Sequence, residues 1–320
     1  MAFILTFKTT FLATLEIFLM GSVGYFLVKK KIIDHNGLVI LSKLVIRLFF
    51  PLFSFSQLTT HFSFTAYANW WVFPLISLSI TLGGFAVGWL MISLFKRIPF
   101  KKEFISLVGF QNSGFIPLIL VATMFAGEKA QQLYVSIFLF LIGFDLVMWS
   151  FGVWFLTKSK VRKFEITNLL YSPFSGIVVS LFLIYFGWHQ LIPQALTKPI
   201  KMFGDCALPM AVLVVGGNLA TIDIFGTNKK EIFLVVLTKL IVFPLLALLC
   251  VLFFNIQGLI GFLIVLEASV PSANSLSVIA RHYKIDDQLI NQGVFFTNVA
   301  SIVTLPVFLT LYMQLTSFFQ

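Results

Sequence analysis

Residues 107–121 read LVGFQNSGFIPLILV. Gln111, Asn112 and Ser113 stand beside Gly114 and Pro117 in a stretch otherwise apolar enough for lipid. A second stretch, LEASVPSANSLS (266–277), places Ser269, Pro271, Ser272, Asn274 and Ser275 in a similar setting. Carboxamides and hydroxyls donate and accept hydrogen bonds without carrying a charge. They suit the holding of a polar solute. A proline removes one N–H and clashes with the carbonyl four residues earlier, so each helix is expected to open at its proline. Lipid cannot bond the freed groups, and such a break needs protein or a wet cavity to take them over. The half-helix after each break presents unpaired N–H groups and a partial positive charge, which favour a carboxylate or other anion. The candidate binding residues are therefore Gln111, Asn112, Ser113, Gly114, Pro117, Pro271, Ser272, Asn274 and Ser275. The plainer explanation is a pair of proline kinks patched by serine hydroxyls.

Six charged residues fall inside apolar runs: Glu16, Arg47, Asp145, Asp205, Lys239 and Glu267. A charge at mid-bilayer costs about 2.5–3.5 kcal/mol on insertion scales, so each needs a reason. Asp145 and Glu267 are candidates for binding H⁺ or Na⁺, as carboxylates whose ionisation responds to burial and to nearby charge. Arg47 and Asp205 each stand one turn before a proline and share a helical face with it. Either they form a structural salt bridge, or Arg47 helps hold an anion that Asp205 releases by protonation. Lys43 and Lys201 lie near span ends and are expected to snorkel. For Lys239, snorkelling and a buried ion pair both stay open. His35, His61, His189 and His282 lack ligand spacing, and Cys206 and Cys250 imply neither a disulfide frame nor a zinc site. No cofactor and no bound metal are expected beyond a coupling ion.

The elements that must position these residues follow from composition. Of 320 residues, 59% are hydrophobic and 11% charged, with a mean hydropathy of +1.01. A soluble domain is nearer a quarter charged, so this is an all-α, polytopic membrane chain. About 20 apolar residues cross the hydrocarbon core. Ten runs qualify: roughly 11–28, 37–59, 71–95, 104–125, 133–156, 169–187, 199–220, 232–254, 258–280 and 290–315. The run at 11–28 lacks a cleavage pattern and reads as the first span. Long uniform runs exclude barrel strands, which alternate.

Loop charge gives the orientation. Odd-numbered connections hold Lys29, Lys30, Lys31, Lys96, Arg97, Lys101, Lys102, Lys158, Lys160, Arg162, Lys163, Lys229, Lys230, Arg281 and Lys284. These face the cytoplasm, so both termini lie outside, and the net charge of +10 is a matter of topology rather than nucleic-acid binding. The charged connection 157–168 is expected as a cytoplasmic linker between two five-helix halves, 1–156 and 169–320. Because five is odd, a duplicated second half inserts inverted, a mark of many secondary transporters. Three proline pairs support duplication: Pro51 with Pro209, Pro74 with Pro244, and Pro117 with Pro271.

FQNSGFIPL resembles the Asn-x-Gly and Pro-Leu element of auxin efflux carrier family transporters, and VPSANSLSVIARHYKIDDQLINQGVFFTNVASIVTLP resembles that family's Pro-Ser-Ala-x-Asn segment with the following Tyr, Asp loop and Thr-Leu-Pro run. EIFLMGSVGYFLVKKKIID and LPMAVLVVGGNLA fit its first and seventh spans. The resemblance implies ten spans in two inverted repeats, with spans four and nine broken and crossing at their prolines. It implies carriage of a small organic anion, with spans one, two, six and seven as scaffold and dimer surface and the other bundle as the moving unit. The fold is shared with bile acid sodium symporters, which leaves open a Na⁺-coupled carrier of a larger amphipathic anion. Two departures stand out: Asp145 where members often carry Asn, and Glu267 where a small or apolar residue is expected. An intramembrane aspartyl protease using Asp145 and Asp205, and a channel, are the remote alternatives. MFGDC lacks the Gly-x-Gly-Asp pattern, and no ring of charges lines a pore. The expected location is the plasma (bacterial inner) membrane.

Overall fold

The computed structural model describes residues 2–95, 100–157, 173–222, 229–283, 285 and 288–316. Apart from Thr157, the expected linker 157–168 lies outside them, as do Lys96, Arg97 and Lys284. Among the described residues the regular elements are all helices, and the pairing outside them is one isolated β-bridge. In chain order they are α1 (Ala2–Lys29), α2 (His35–His61), α3 (Val72–Leu94), α4 (Lys101–Gly109), α5 (Phe115–Met124) and α6 (Gly127–Thr157). There follow α7 (Pro173–Tyr185), α8 (Gln194–Ala220), α9 (Lys229–Phe253), α10 (Gly258–Ser269), α11 (Ser275–His282) and α12 (Gln288–Leu315).

Seven of these are long and apolar enough to cross a membrane: α1, α2, α3, α6, α8, α9 and α12. Three more, α5, α7 and α10, are apolar but shorter. The runs expected at 104–125 and 258–280 are each two helices separated by a non-helical stretch. Backbone polar groups cannot be left bare in lipid, which explains why the other described apolar runs are helical.

Most of the prolines do not break their helices. Pro51 follows a π turn at Val45–Phe49, where the Phe50 N–H reaches back five residues to the Val45 carbonyl. Pro244 follows a π turn at Thr238–Val242, with Phe243 N–H on the Thr238 carbonyl. The wider turn makes room for the ring and supplies an acceptor to the residue before it. Pro306 stays inside an unbroken α12. Pro74 and Pro117 are third residues of their helices, where the missing N–H has no intrahelical acceptor in any case. The expected pairing of Pro74 with Pro244 therefore fails: one opens a helix, the other lies past the middle of one. Pro51 and Pro209 each fall just past the middle of a 27-residue apolar stretch, Pro209 as the third residue after a turn at Cys206.

Two groups of helices pack side by side. α1 lies along α8, and α2 lies along α7 and α8. In the second group α3 packs on α4 and α6, while α12 packs on α9 and α10. The groups meet chiefly where α1 touches α12 and α5, and where α6 touches α2 and α7. The α1–α8 contact is backbone to backbone. A Cβ on Gly216 would lie 1.8 Å from the Gly21 carbonyl oxygen, and one on Gly24 would lie 2.1 Å from that of Leu213. Small residues at such seams let helices approach where no hydrophobic drive exists.

Candidate functional site

The site is built where the α4–α5 and α10–α11 breaks meet. α4 ends with the Phe110 N–H on the Ser106 carbonyl (2.9 Å), after which Phe110 turns extended. α10 ends with Val270 N–H on Leu266 (3.1 Å), and Val270 is extended because Pro271 follows it. The two extended stretches run antiparallel and bond each other. Asn112 N–H donates to the Pro271 carbonyl (2.9 Å), and Ala273 N–H donates to the Phe110 carbonyl (2.9 Å). Gln111 and Ser272 are the bridge partners. Each break thus supplies the backbone partners the other lost.

Side chains complete this clasp. The Ser272 hydroxyl donates to the Leu107 carbonyl (2.6 Å), one of the acceptors left over at the end of α4. Ser272 N–H donates to Thr297 Oγ1 (3.3 Å) on α12. Asn298, next along α12, donates to Asn274 Oδ1 (3.4 Å) and to the Val294 carbonyl (2.8 Å).

A cavity of about 90 Å³ lies against the clasp. Gln111, Asn112, Ser113, Gly114, Asn274 and Ser275 line it, together with Asp145 of α6. Ile46 and Phe50 of α2 and Pro173 of α7 form a facing apolar wall. Gln111, Asn112 and Ser113 are buried and carry side-chain atoms without a hydrogen-bond partner among the described residues. α5 starts here without a side-chain cap from Gly114, so its first amides are donors available at the cavity edge. The arrangement offers neutral donors, a helix N-terminus and one carboxylate, a set that can hold a small polar anion and a proton or cation.

The sequence-predicted residues divide. Six of the binding candidates line the cavity. Pro117 is buried in the first turn of α5, Pro271 is part of the clasp, and Ser272 serves the backbone; none of the three lines it. The crossing therefore lies at Gln111 and Ser272, and in the α4–α5 stretch it precedes Pro117 instead of falling on it. Asp145 is at the cavity, whereas Glu267 is wholly buried and does not line it. Asp205 is exposed and bonds Lys201 Nζ at 2.8 and 3.0 Å, one turn back on its own helix. Arg47 and Glu16 are exposed as well. Lys239 is fully buried in the π turn of α9, with Nζ 5.0 Å from the centre of the Phe243 ring, so it does not snorkel. Thr297 and Asn298 were missed; their signal was a polar pair, TN, in the apolar run of α12.

Two larger cavities lie elsewhere in the described structure. One of about 270 Å³ lies between α1 and α8 and reaches Ile116 and Ile119 of α5; its walls are nearly all apolar, with Asn298 contributing a carboxamide. A polar vestibule of about 560 Å³ is lined by Thr60, His61, Tyr67, Glu128, Gln131 and Gln132. There, burial and then the charge of Glu128 push the Tyr67 phenol above its ordinary pKa.

Comparison with known proteins adds an independent finding. The sequence profile of a family described as "Membrane transport protein" matches residues 9–168 and 152–309. The chain is 22% identical to Protein PIN-LIKES 1 of Arabidopsis thaliana, over 97% of this chain and 80% of that one. It is 24% identical to an uncharacterised transporter of Methanocaldococcus jannaschii, over 91% of this chain and 95% of that one. Auxin efflux carrier component 8 of Arabidopsis thaliana matches at 24% over 52% of this chain and 44% of its own.

Proposed function

Because this chain belongs to the membrane transport protein family of auxin efflux carriers, an integral membrane family of transporters and not of enzymes, we propose that it is a secondary carrier for a small organic anion, a carboxylate. The cargo sits in the cavity at the clasp, held by the carboxamides of Asn112 and Asn274 and the first amides of α5. The observation that carries this reading is the clasp itself: two interrupted helices, from the two halves of the chain, meeting beside a cavity lined by unbonded polar groups. Interrupted helices in corresponding positions are the best structural pointer to a carrier's site.

The packing supports ten spans in two inverted five-helix repeats. α1 lies on α8 as α7 lies on α2; α3 lies on α6 as α9 lies on α12; α3 lies on α4 as α9 lies on α10. In this reading α4–α5 is the fourth span and α10–α11 the ninth. α1, α2, α7 and α8 form the scaffold and offer the surface for a homodimer. The other bundle moves against them in an elevator-like cycle of alternating access. The basic odd-numbered loops face the cytoplasm and both termini face outside, in a plasma (bacterial inner) membrane. A monovalent anion leaving a negative interior gains about 2.3 kcal/mol per 100 mV, while its import requires a co-transported cation, H⁺ or Na⁺, bound at Asp145 or Glu267.

A second reading has its own observation. The 270 Å³ apolar cavity ends on Asn298, which also bonds Asn274. It favours a larger amphipathic anion whose apolar body lies between α1 and α8, as a bile-acid-symporter-like, Na⁺-coupled carrier would require. One experiment separates the two: thermal unfolding of the purified chain with small mono- and dicarboxylates and with amphipathic carboxylates, at two pH values, with and without Na⁺. Stabilisation by a small carboxylate, lost in Asn112→Ala and Asn274→Ala, supports the first reading. Stabilisation by amphipathic anions alone supports the second, and binding untouched by either substitution removes this site assignment.

A further inference from the structure

Lys239, in the π turn of α9, and Glu267, near the end of α10, are both fully buried. The two elements pack against each other, yet the two side chains make no direct ion pair among the described residues. Among the described residues, no hydrogen bond of good geometry reaches Lys239 Nζ or either Glu267 carboxylate oxygen. Ser113 faces the Glu267 carboxyl but stays outside hydrogen-bonding geometry. The π turn that carries Lys239 packs against α3, α4, α10 and α12. Those elements and the clasp contribute Ser77, Thr81, Ser106, Gln111, Thr238 and Ser269, all buried and all with unbonded side-chain atoms. Opposite charges left apart in an apolar interior are costly to leave dry, and buried polar groups without protein partners are the ones that ordered water satisfies.

We propose that this is an internal hydrated chamber in which Lys239 is the resident counter-cation of Glu267, occupying the place an alkali-metal ion would take, so that the ion exchanged at Glu267 is a proton and not Na⁺. An ammonium and a carboxylate sum to zero charge. A metal ion added beside them would face the fixed ammonium at close range in a medium of low dielectric. A proton instead converts the carboxylate to a neutral acid and leaves the ammonium's positive charge in place. Other titratable groups on the packed elements stand elsewhere. Lys101, Lys102 and Glu103 are at the opposite end of α4, Lys229, Lys230 and Glu231 two turns or more down α9, and Tyr312 near the far end of α12. Glu128, Lys129 and Tyr134 begin α6, and its Asp145 lines the cargo cavity.

The role in transport rests on the carrier reading above, but the ion preference does not, and it is tested without cargo. The full chain in detergent is unfolded thermally in NaCl and in choline chloride of equal ionic strength, at mildly acidic and mildly alkaline pH. The chains compared are wild type, Lys239→Met, Glu267→Gln and the double variant. Wild type is expected to unfold at the same temperature in both salts. Lys239→Met exposes Glu267 to solution cations and gains a Na⁺-dependent rise of about 2 °C or more, absent from the double variant. If Lys239→Met does not fold while the double variant does, the pairing is equally supported. Stabilisation of wild type by Na⁺ that Glu267→Gln abolishes would overturn the proposal. So would a folded Lys239→Met indifferent to Na⁺, or a double variant no more stable than the single changes added together.

Discussion

Ser272→Ala isolates what the clasp is worth. The substitution leaves the backbone bonds between residues 110–113 and 271–273 in place and removes one hydroxyl. That hydroxyl donates to the Leu107 carbonyl at 2.6 Å in a fully buried setting. Leu107 is near the end of α4, where no later helical N–H is available to its carbonyl. The net value of such a bond is about 0.5–1.5 kcal/mol, and a buried acceptor left unpaired costs about 1–3 kcal/mol. A loss of about 2 kcal/mol follows. At about 2–4 °C per kcal/mol for a chain of 150–250 residues, the unfolding midpoint should fall by about 4–8 °C, toward the lower figure in a longer chain. Ser272→Thr keeps a hydroxyl and should retain most of the stability. The assay is intrinsic-fluorescence unfolding in detergent, run with and without a stabilising carboxylate. A midpoint within 1 °C of wild type, with the carboxylate response abolished, would refute the reasoning, since the hydroxyl would then serve cargo and not the helix end.

Other outcomes are expected. Gly216→Ala puts a methyl 1.8 Å from the Gly21 carbonyl oxygen and must prise α1 from α8; overpacking of this kind costs about 1–3 kcal/mol, read as a lower unfolding midpoint. Asp205→Asn breaks an exposed pair with Lys201 one turn away, so it should change stability by about 0.5 kcal/mol at most and leave transport rates intact; a large transport defect would restore a working role for Asp205. Asn298→Ala releases Asn274 and should weaken carboxylate-induced stabilisation without abolishing it, measured by titration against wild type.

The helical membrane character and both breaks were legible because they rest on apolar run length and on polar residues that lipid does not tolerate. For the same reason Gln111, Asn112, Ser113 and Asn274 could be read as residues gathered at the breaks, where they line one cavity. The position of the fourth-span break was not legible. Proline was taken as its cause, yet Pro51, Pro244 and Pro306 stay within helices and Pro117 sits in a first turn. The chain opens instead where a second open segment supplies the missing donors and acceptors, and that pairing spans some 160 residues of sequence. Arg47 and Asp205 shared a position relative to proline, but a shared register on a helix says nothing about which face meets the interior. Lys239 and Glu267 were visible as charges in apolar runs; their nearness was not, since no local spacing joins α9 to the end of α10.

The cavity at the clasp has walls of two origins. Its polar floor belongs to the clasp, which is tied across by main-chain bonds, while Ile46, Phe50 and Pro173 belong to the neighbouring group of helices. A translation of one helical turn, about 5.4 Å, would carry the floor past an entirely different set of ceiling side chains. In the proposed elevator-like cycle a compartment divided this way would have no constant shape: whatever fits it at one height would be loosened or squeezed at the next, so its capacity would itself read out how far the two halves had slid.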